Sequence, residues 1–185
     1  DHRDLHRVDR RQRQMCIRDR QYSEFNINHP KGKIQIVPFD IKFRDDWRHI
    51  NQQWIEKLFI MEELDFIQLN NPEKFILSKG GEIYFALLND LPVGAIALKL
   101  HEGKRFELSK MGVLPKAQGY GIGKLLVAKV LKQFYLRGGD ELFLETNSSL
   151  TPAITLYKKM GFKKAEPPEN TPYNRADYFM KLVMD

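Results

Sequence analysis

Cysteine is almost missing from this chain of 185 residues, whose one thiol is Cys16. Residues 17–185 therefore offer no thiol for a disulfide, a zinc–thiolate site or a covalent acyl-enzyme. The five histidines form no HExxH or paired-ligand spacing, and the sequence has no GxSxG nucleophile elbow. Catalysis by a covalent intermediate or a metal ion is thus disfavoured, and we predict no metal ligands.

Long apolar runs are also absent from the sequence. No stretch approaches the ~18 apolar residues of a membrane span, and the pattern of a secretory signal peptide is not found. We therefore expect no membrane partner and a cytoplasmic location. The length and the 42% hydrophobic content favour one globular domain with a substantial core.

The sequence lacks an even distribution of charge, because basic residues are concentrated at its N-terminus. Residues 1–20 contain seven Arg and four Asp, so half of the net charge of +6 lies there. A basic arm that binds nucleic acid is one interpretation. However, residues 15–20 (MCIRDR) resemble the conceptual translation of a sequencing adapter. We therefore predict that residues 1–22 are a disordered or non-native leader, and we expect no nucleic-acid partner.

The rest of the chain shows alternating strand and helix patterns. Strands are predicted at 33–39, 82–88, 92–100, 106–114, 142–146, 162–165 and 177–184. Helices are predicted at 45–61, 72–77, 124–137 and 151–160. This order predicts an α/β (α+β) domain in which helices cover one mixed sheet.

A glycine-rich stretch connects the predicted fourth strand to the third helix. Gly119, Gly121 and Gly123 recur at alternate positions after Pro115, which cannot extend a central strand. A glycine-rich turn at a helix N-terminus exposes unpaired N–H groups and the positive end of the helix dipole. That combination binds phosphate or pyrophosphate.

Two common phosphate-binding motifs do not fit this stretch. A P-loop, GxxxxGK[ST], requires Gly where Gln118 stands and Ser or Thr where Leu125 stands. A dinucleotide motif, GxGxxG, requires Gly at the position of Leu126. The remaining pattern is Gln118-x-x-Gly121-x-Gly123, between a strand and a helix.

That strand, QxxGxG turn and helix resemble the acetyl-coenzyme A site of the GNAT superfamily of N-acetyltransferases. A second segment, AITLYKKMGF at 153–162, is similar to the A-x-x-L-Y-x-x-x-G-F segment of the same family. The resemblance covers about residues 33–185. It implies a mixed, mostly antiparallel sheet flanked by helices, and acetyl-CoA as the acetyl donor.

The resemblance also implies which residues bind the cofactor. Met111, Gly112 and Val113 match the strand that hydrogen-bonds the pantetheine arm. The pyrophosphate loop corresponds to Gln118, Gly119, Tyr120, Gly121, Ile122, Gly123 and Lys124. The family often has an asparagine where this chain has Leu150, so nearby Asn147 is predicted to contact the cofactor instead.

The resemblance further implies direct acetyl transfer with acid–base assistance. Glu107 is the predicted general base, acting directly or through water, and Tyr157 the predicted general acid that protonates the thiolate. Strand alternation would place four side chains on one face, namely Glu107, Ser109, Met111 and Val113, unless a bulge intervenes. The alternatives are an exposed glutamate near a strand end and a tyrosine of the core.

The predicted acceptor is a primary amine of a small molecule or peptide, modified by a monomer or homodimer. Glu62, Glu63 and Asp65 lie in a region that often lines the acceptor pocket of this fold, and they would attract a cation. A solvated acidic helix end is the alternative. Two other functions stay open, namely a non-catalytic acyl-CoA-binding sensor and a protein lysine or N-terminal acetyltransferase.

Overall fold

One eight-stranded sheet organises the computed structural model, which describes residues 25–168 and 171–184. The strands are β1 (Asn26–His29), β2 (Gly32–Pro38), β3 (Glu82–Leu88), β4 (Leu91–His101), β5 (Arg105–Val113), β6 (Glu141–Thr146), β7 (Phe162–Lys164) and β8 (Tyr178–Leu182). Their order across the sheet is β1-β2-β3-β4-β5-β6-β8-β7. The predicted leader, residues 1–22, lies outside the described residues.

Helices cover both faces of this sheet. They are α1 (Arg44–Leu58), α2 (Glu63–Asn70), α3 (Pro72–Phe75), α4 (Ile122–Leu136) and α5 (Thr151–Lys159). The apolar side chains of α4 recur every three or four residues, so one stripe of the helix is buried against the sheet. Helices α4 and α5 pack on one face, and α1 packs on the other. The predicted α/β class with a mostly antiparallel sheet is confirmed.

Among the strand pairs of the described residues, β5 and β6 alone run parallel. Their pairing covers three residue pairs and ends with Glu107 opposite Phe143. Beyond that point β5 continues to Val113, while β6 continues to Thr146 and pairs with β8 on its other side. The two strands therefore diverge and open a wedge in the middle of the sheet.

Strand β5 contains a β-bulge beside this wedge. Ser109 lies opposite Ala97 and Gly112 lies opposite Ala95, so Lys110 and Met111 together face the single residue Ile96. Lys110 adopts a positive φ of 52°, which is uncommon for a residue with a side chain. The extra residue interrupts the in–out alternation of the strand.

The bulge corrects one prediction from the sequence, that four side chains of β5 share a face. Glu107 and Ser109 pair with residues of β4 that face α1. Met111 and Val113 instead pack among the core residues beneath α4 and α5. Regular alternation fails here because the bulge adds one residue between Ser109 and Met111.

The sequence did not predict β1 and α2. Strand β1 has four residues and pairs with β2, so the sheet begins at Asn26 rather than at the predicted residue 33. Helix α2 precedes the short α3, which ends at Phe75. The other elements lie within a few residues of their predicted bounds. No helix in the described ranges has both the length and the apolar character of a membrane span.

Candidate active site

A cavity of about 750 Å³ lies in the wedge between β5 and β6. Its walls come from the end of β5, the glycine-rich turn before α4, and the first residues of α5. Most of the predicted cofactor residues line it, namely Met111, Gly112, Val113, Gln118, Gly119, Gly121, Ile122, Gly123 and Lys124. Tyr120 and Asn147 are not among the lining residues. The structure thus brings together nine of the eleven residues predicted from the sequence.

The glycine-rich turn has two residues whose conformation favours glycine. Gly119 and Gly121 adopt φ values of 83° and 76°, and a Cβ atom on either would meet no atom within 4 Å. Both therefore leave open space beside the N-terminus of α4. Gln118 Nε2 donates a hydrogen bond to the Val113 carbonyl oxygen at 3.1 Å, which ties the turn to β5.

Two other glycines allow close packing within the protein. A Cβ on Gly123 would lie 3.1 Å from Leu156, so this glycine lets α4 approach α5. A Cβ on Gly112 would lie 2.8 Å from the Trp54 ring. The sequence associated Gly112 with a close ligand, whereas the structure places an indole of α1 over it.

The two predicted cofactor residues outside the large cavity have other contacts. Tyr120 stacks on His29, with ring centroids 5.0 Å apart, and Lys31 Nζ lies 4.9 Å from the same ring. Asn147 Nδ2 donates to the Arg175 carbonyl oxygen at 2.6 Å, and its Oδ1 accepts from the backbone N–H of Ser149 at 2.9 Å. Asn147 therefore ties the end of β6 to Arg175, which lies shortly before β8.

A second, smaller cavity of about 60 Å³ adjoins the first. Six residues line both cavities, namely Trp54, Ser109, Lys110, Glu145, Thr146 and Leu150. Tyr157 lines only the large cavity, and Glu107 lines only the small one. The two predicted catalytic groups therefore lie on opposite sides of a shared boundary. We call the small space the acceptor cavity, after the function proposed for it below.

Glu107 is a paired carboxylate in the wall of the acceptor cavity. Its Oε1 lies 3.2 Å from Lys99 Nζ, and its Oε2 lies 2.9 Å from His101 Nε2. Burial by itself raises the pKa of Glu107, but Lys99 and His101 outweigh it and hold the pKa at about 2. This carboxylate is ionised at neutral pH, and its affinity for a proton is low.

Glu145 is a second carboxylate at the boundary, and the sequence analysis did not identify it. It lies in β6, where the strand has already separated from β5. Its Oε2 accepts a hydrogen bond from Thr171 Oγ1 at 2.7 Å. Burial raises the pKa of Glu145 above its usual value, because water is excluded and the Thr171 bond compensates only in part.

Tyr157 lies on α5 with 5% of its surface exposed. Its hydroxyl is 4.0 Å from Met111 Sδ, a weak acceptor, and its ring meets Phe162 edge-on. Burial raises the pKa of Tyr157, so the hydroxyl keeps its proton across the physiological range. The side chain thus presents a protonated hydroxyl to the large cavity.

A buried ion network stands behind the acceptor cavity. Lys110 Nζ lies 2.5 Å from Asp65 Oδ1, and Arg175 donates to both oxygens of Asp65 at 2.6 and 2.8 Å. Arg175 also lies 3.3 Å from Glu62 Oε1. Glu62 and Asp65 form a capping box at the start of α2, so both carboxylates also hold that helix.

This network bears on the three carboxylates that were predicted to attract the acceptor. Glu62 and Asp65 are neutralised by the protein's own cations, and neither lines either cavity. Glu63 is exposed on the first turn of α2 and lies outside both linings as well. The structure therefore places these three carboxylates behind or beside the wall of the small cavity, where none of them lines either cavity.

Asp65→Asn is expected to lower the free energy of unfolding by about 3–5 kcal/mol at neutral pH, because Lys110 and Arg175 lose their buried counter-charge. Burial raises the pKa of Asp65, but Arg175 and Lys110 outweigh it and hold the pKa at about 2, below the usual 3.8. A lowered pKa contributes stability above about pH 4 that is lost as the pH falls towards 2.

The stability difference between the wild type and Asp65→Asn should therefore narrow between about pH 4 and pH 2. Urea unfolding at a series of pH values would measure it. Asp45→Asn is the matched control, because Asp45 pairs with Arg48 at 3.3 Å on the surface with 91% of its side chain exposed. A difference that stays constant with pH would contradict the assigned ion network.

Comparison with known proteins agrees with this geometry. The profile of the acetyltransferase (GNAT) family matches residues 43–162. An uncharacterized N-acetyltransferase of Schizosaccharomyces pombe is 35% identical over 78 residues, 42% of this chain and 47% of that protein. A mycothiol acetyltransferase of Arthrobacter sp. strain FB24 is 38% identical over 58 residues, 31% of this chain and 18% of that protein. The chain thus matches less than half the length of these relatives.

Solved structures share the fold at low sequence identity. A GNAT-family acetyltransferase from Staphylococcus aureus Mu50 has a TM-score of 0.74 and 22% identity, over 80% of this chain and 98% of that one. The PaiA N-acetyltransferase of Thermoplasma acidophilum, solved in complex with coenzyme A, has a TM-score of 0.64 and 18% identity, over 82% and 99% of the two chains. The family match, the shared fold and the divided sheet lead to one conclusion: this chain belongs to the GNAT family of acetyltransferases.

Proposed function

We propose that the protein transfers an acetyl group from acetyl-CoA to a primary amine. The observation that supports this most directly is the wedge where β5 and β6 separate after Glu107 and Phe143. A strand edge without a neighbouring strand offers backbone N–H and carbonyl groups to an extended ligand that contains amides. The pantetheine arm is such a ligand, and the cavity of about 750 Å³ follows this edge.

The glycine-rich turn would hold the pyrophosphate at the other end of the cavity. Gly119 and Gly121 leave open space beside the first N–H groups of α4, where an anion is favoured. Lys124 is exposed and lines the same cavity, so it adds a positive charge there. Acetyl-CoA, when bound in this way, supplies a thioester-activated acetyl group at the boundary with the acceptor cavity.

In this proposal, the residues at the boundary move the protons. The amine enters as an ammonium ion and gives one proton to a carboxylate, and its nitrogen then bonds to the acetyl carbon as the carbon–sulfur bond breaks. Tyr157 donates its proton to the departing sulfur, and the second proton of the nitrogen restores Tyr157 through water. The carboxylate returns its proton to solvent, so each turnover releases one proton.

Two carboxylates are candidates for the general base. Glu107, the residue predicted from the sequence, stays a proposal, but Lys99 and His101 hold its pKa at about 2 and make it a weak proton acceptor. Glu145 has a raised pKa and lines both cavities. A base works best when its pKa approaches the working pH, so we favour Glu145.

Tyr157→Phe is expected to lower kcat by about ten-fold or more and to change the Kd for acetyl-CoA by less than about two-fold. The change removes the proton donor and keeps the ring that packs on Phe162. Calorimetric binding of acetyl-CoA, followed by thiol release on a panel of amines, measures both quantities and also tests the proposed function itself. Tyr178→Phe is the control, because Tyr178 lines neither cavity.

The outcomes of this experiment separate the alternatives. Failure of the wild type to bind acetyl-CoA would overturn the proposed function. Binding without thiol release on any amine would favour the non-catalytic acyl-CoA sensor. A wild-type kcat in Tyr157→Phe would leave this residue as part of the core.

A further inference from the structure

The acceptor cavity has aromatic and apolar walls around its charged groups. Trp54, Phe59 and Tyr173 line it together with Leu150. The polar ends of two of these rings contact protein atoms, because Trp54 Nε1 donates to Asn51 Oδ1 at 3.4 Å and the Tyr173 hydroxyl donates to Gln68 Oε1 at 3.3 Å. The cavity therefore meets mainly the carbon surfaces of these side chains.

The cations in the cavity wall are already matched by carboxylates. Lys110 pairs with Asp65, and Arg175 pairs with Asp65 and Glu62. Both cations also lie over the Tyr173 ring, each 4.6 Å from its centroid. An incoming carboxylate would have to displace one of these partners, so the cavity offers no ready site for an acidic acceptor.

Not every carboxylate of the cavity wall is paired with a cation. Glu107 is paired with Lys99 and His101. Glu145, by contrast, forms no ion pair with any residue of the described ranges, and Thr171 is its hydrogen-bond donor. One carboxylate at the boundary of the two cavities is thus left for the acceptor.

The charges around the cavity can be balanced as a group. Three of the four carboxylates, Glu62, Asp65 and Glu107, form ion pairs, and their partners are Lys99, Lys110 and Arg175. Glu145 has no such partner in the described ranges, so its charge is the one that an acceptor can pair with. One ammonium ion neutralises it, whereas a second ammonium would be buried without a partner.

We propose that the acceptor is an amine with a single positive charge on an apolar carbon skeleton, without a carboxylate or a second ammonium near the reacting nitrogen. This inference rests on the proposed function and specifies its substrate class. Leu58 and Ile60, 52% and 87% exposed, flank Phe59 of the cavity wall in the sequence and add apolar surface between α1 and α2. An arylalkyl or alkyl monoamine fits this combination of one free carboxylate and carbon-lined walls.

Two matched pairs of amines test the proposal on the whole chain. 2-Phenylethylamine and phenylalanine differ by one carboxylate, and propylamine and 1,3-diaminopropane differ by one ammonium group close to the reacting nitrogen. We expect kcat/KM, measured by thiol release with saturating acetyl-CoA, to be about ten-fold or more higher for the first member of each pair. A smaller ratio in either pair, or no release with any of the four amines, overturns the proposal.

The same assay identifies the source of the amine. An N-terminal phenylalanyl tetrapeptide amide carries the same single charge and aromatic group on a peptide. Turnover of this peptide as fast as 2-phenylethylamine would extend the class to apolar peptide N-termini. Turnover of the small amine alone would restrict it to small molecules. In both cases the proposed charge and skeleton are supported.

Glu62→Gln provides a second, independent test. The change leaves Arg175 with less counter-charge, so activity on phenylalanine should rise about three-fold or more relative to 2-phenylethylamine. Glu73→Gln is the matched control, because Glu73 pairs with Arg44 at 3.2 Å on the surface, and its ratio should equal that of the wild type. An unchanged ratio in Glu62→Gln overturns the charge-balance argument. Calorimetry with acetyl-CoA on each variant shows separately whether the proposed function holds.

Discussion

Gly121→Glu is expected to weaken acetyl-CoA binding by about 100-fold or more, which corresponds to about 2.7 kcal/mol. Gly121 precedes α4 and leaves open space at the position proposed for the pyrophosphate. A glutamate there would fill this space and place a negative charge against another. The substitution should also lower the free energy of unfolding by about 1–2 kcal/mol. Gly121 has a φ of 76°, and a residue with a Cβ atom is strained at that angle.

A glycine at the other end of the same helix provides a control that separates the loss of acetyl-CoA binding from the loss of stability. Gly138 follows α4 and has a φ of 63°, and a Cβ atom on it would likewise meet no atom within 4 Å. Gly138→Glu should therefore cost similar stability and leave the Kd for acetyl-CoA unchanged. Calorimetry and thermal unfolding on both variants would show this. Equal acetyl-CoA affinity in the two variants would remove the glycine-rich turn from the cofactor site.

Glu145→Gln is expected to lower kcat by a factor of about 10²–10⁴, with little change in the Kd for acetyl-CoA. Glutamine keeps the shape of the side chain and accepts the Thr171 hydrogen bond, but it cannot take up the amine proton. Since the pKa of Glu145 is raised above 4.5, its titration should appear as the acidic limb of the wild-type pH–rate profile. That limb should disappear in the variant.

Glu107→Gln is the comparison that tests which carboxylate is the base. The pKa of Glu107 is about 2, so its titration lies below the pH range in which the activity would be measured. We expect kcat to fall by less than about ten-fold in this variant, because the charge beside Lys99 and His101 changes. If kcat fell further in Glu107→Gln than in Glu145→Gln, the general base would be Glu107, as the sequence predicted.

The sequence predicted the elements that carry strong local signals. The QxxGxG turn and the AxxLYxxxGF segment identified the family, and the spacing of apolar residues identified α4. The type of sheet and the residues of the large cavity were implied by the resemblance that these two motifs carry, and each motif could be read because it is local in the sequence. The family and the fold are confirmed.

The missed features depend on contacts between distant parts of the chain. Helix α2 lacks a Ser, Thr, Asp or Asn cap and begins instead at the Glu62–Asp65 capping box, while β1 is four residues long and polar. Glu145 lies in an ordinary alternating strand, and only the separation of β6 from β5 exposes it. Arg175 meets Asp65 across 110 positions of sequence, so no local pattern could pair them.

The bulge at Lys110 has a consequence for how this chain tolerates insertions and deletions. Removing one residue between Ser109 and Gly112 would restore regular alternation and turn the following part of β5 onto the opposite faces of the sheet. The residues that border the large cavity would then point to the other face of the sheet, while Glu107 would keep its present position. Recombination between relatives is therefore tolerated within β5 only where both parents carry the same number of residues across this bulge.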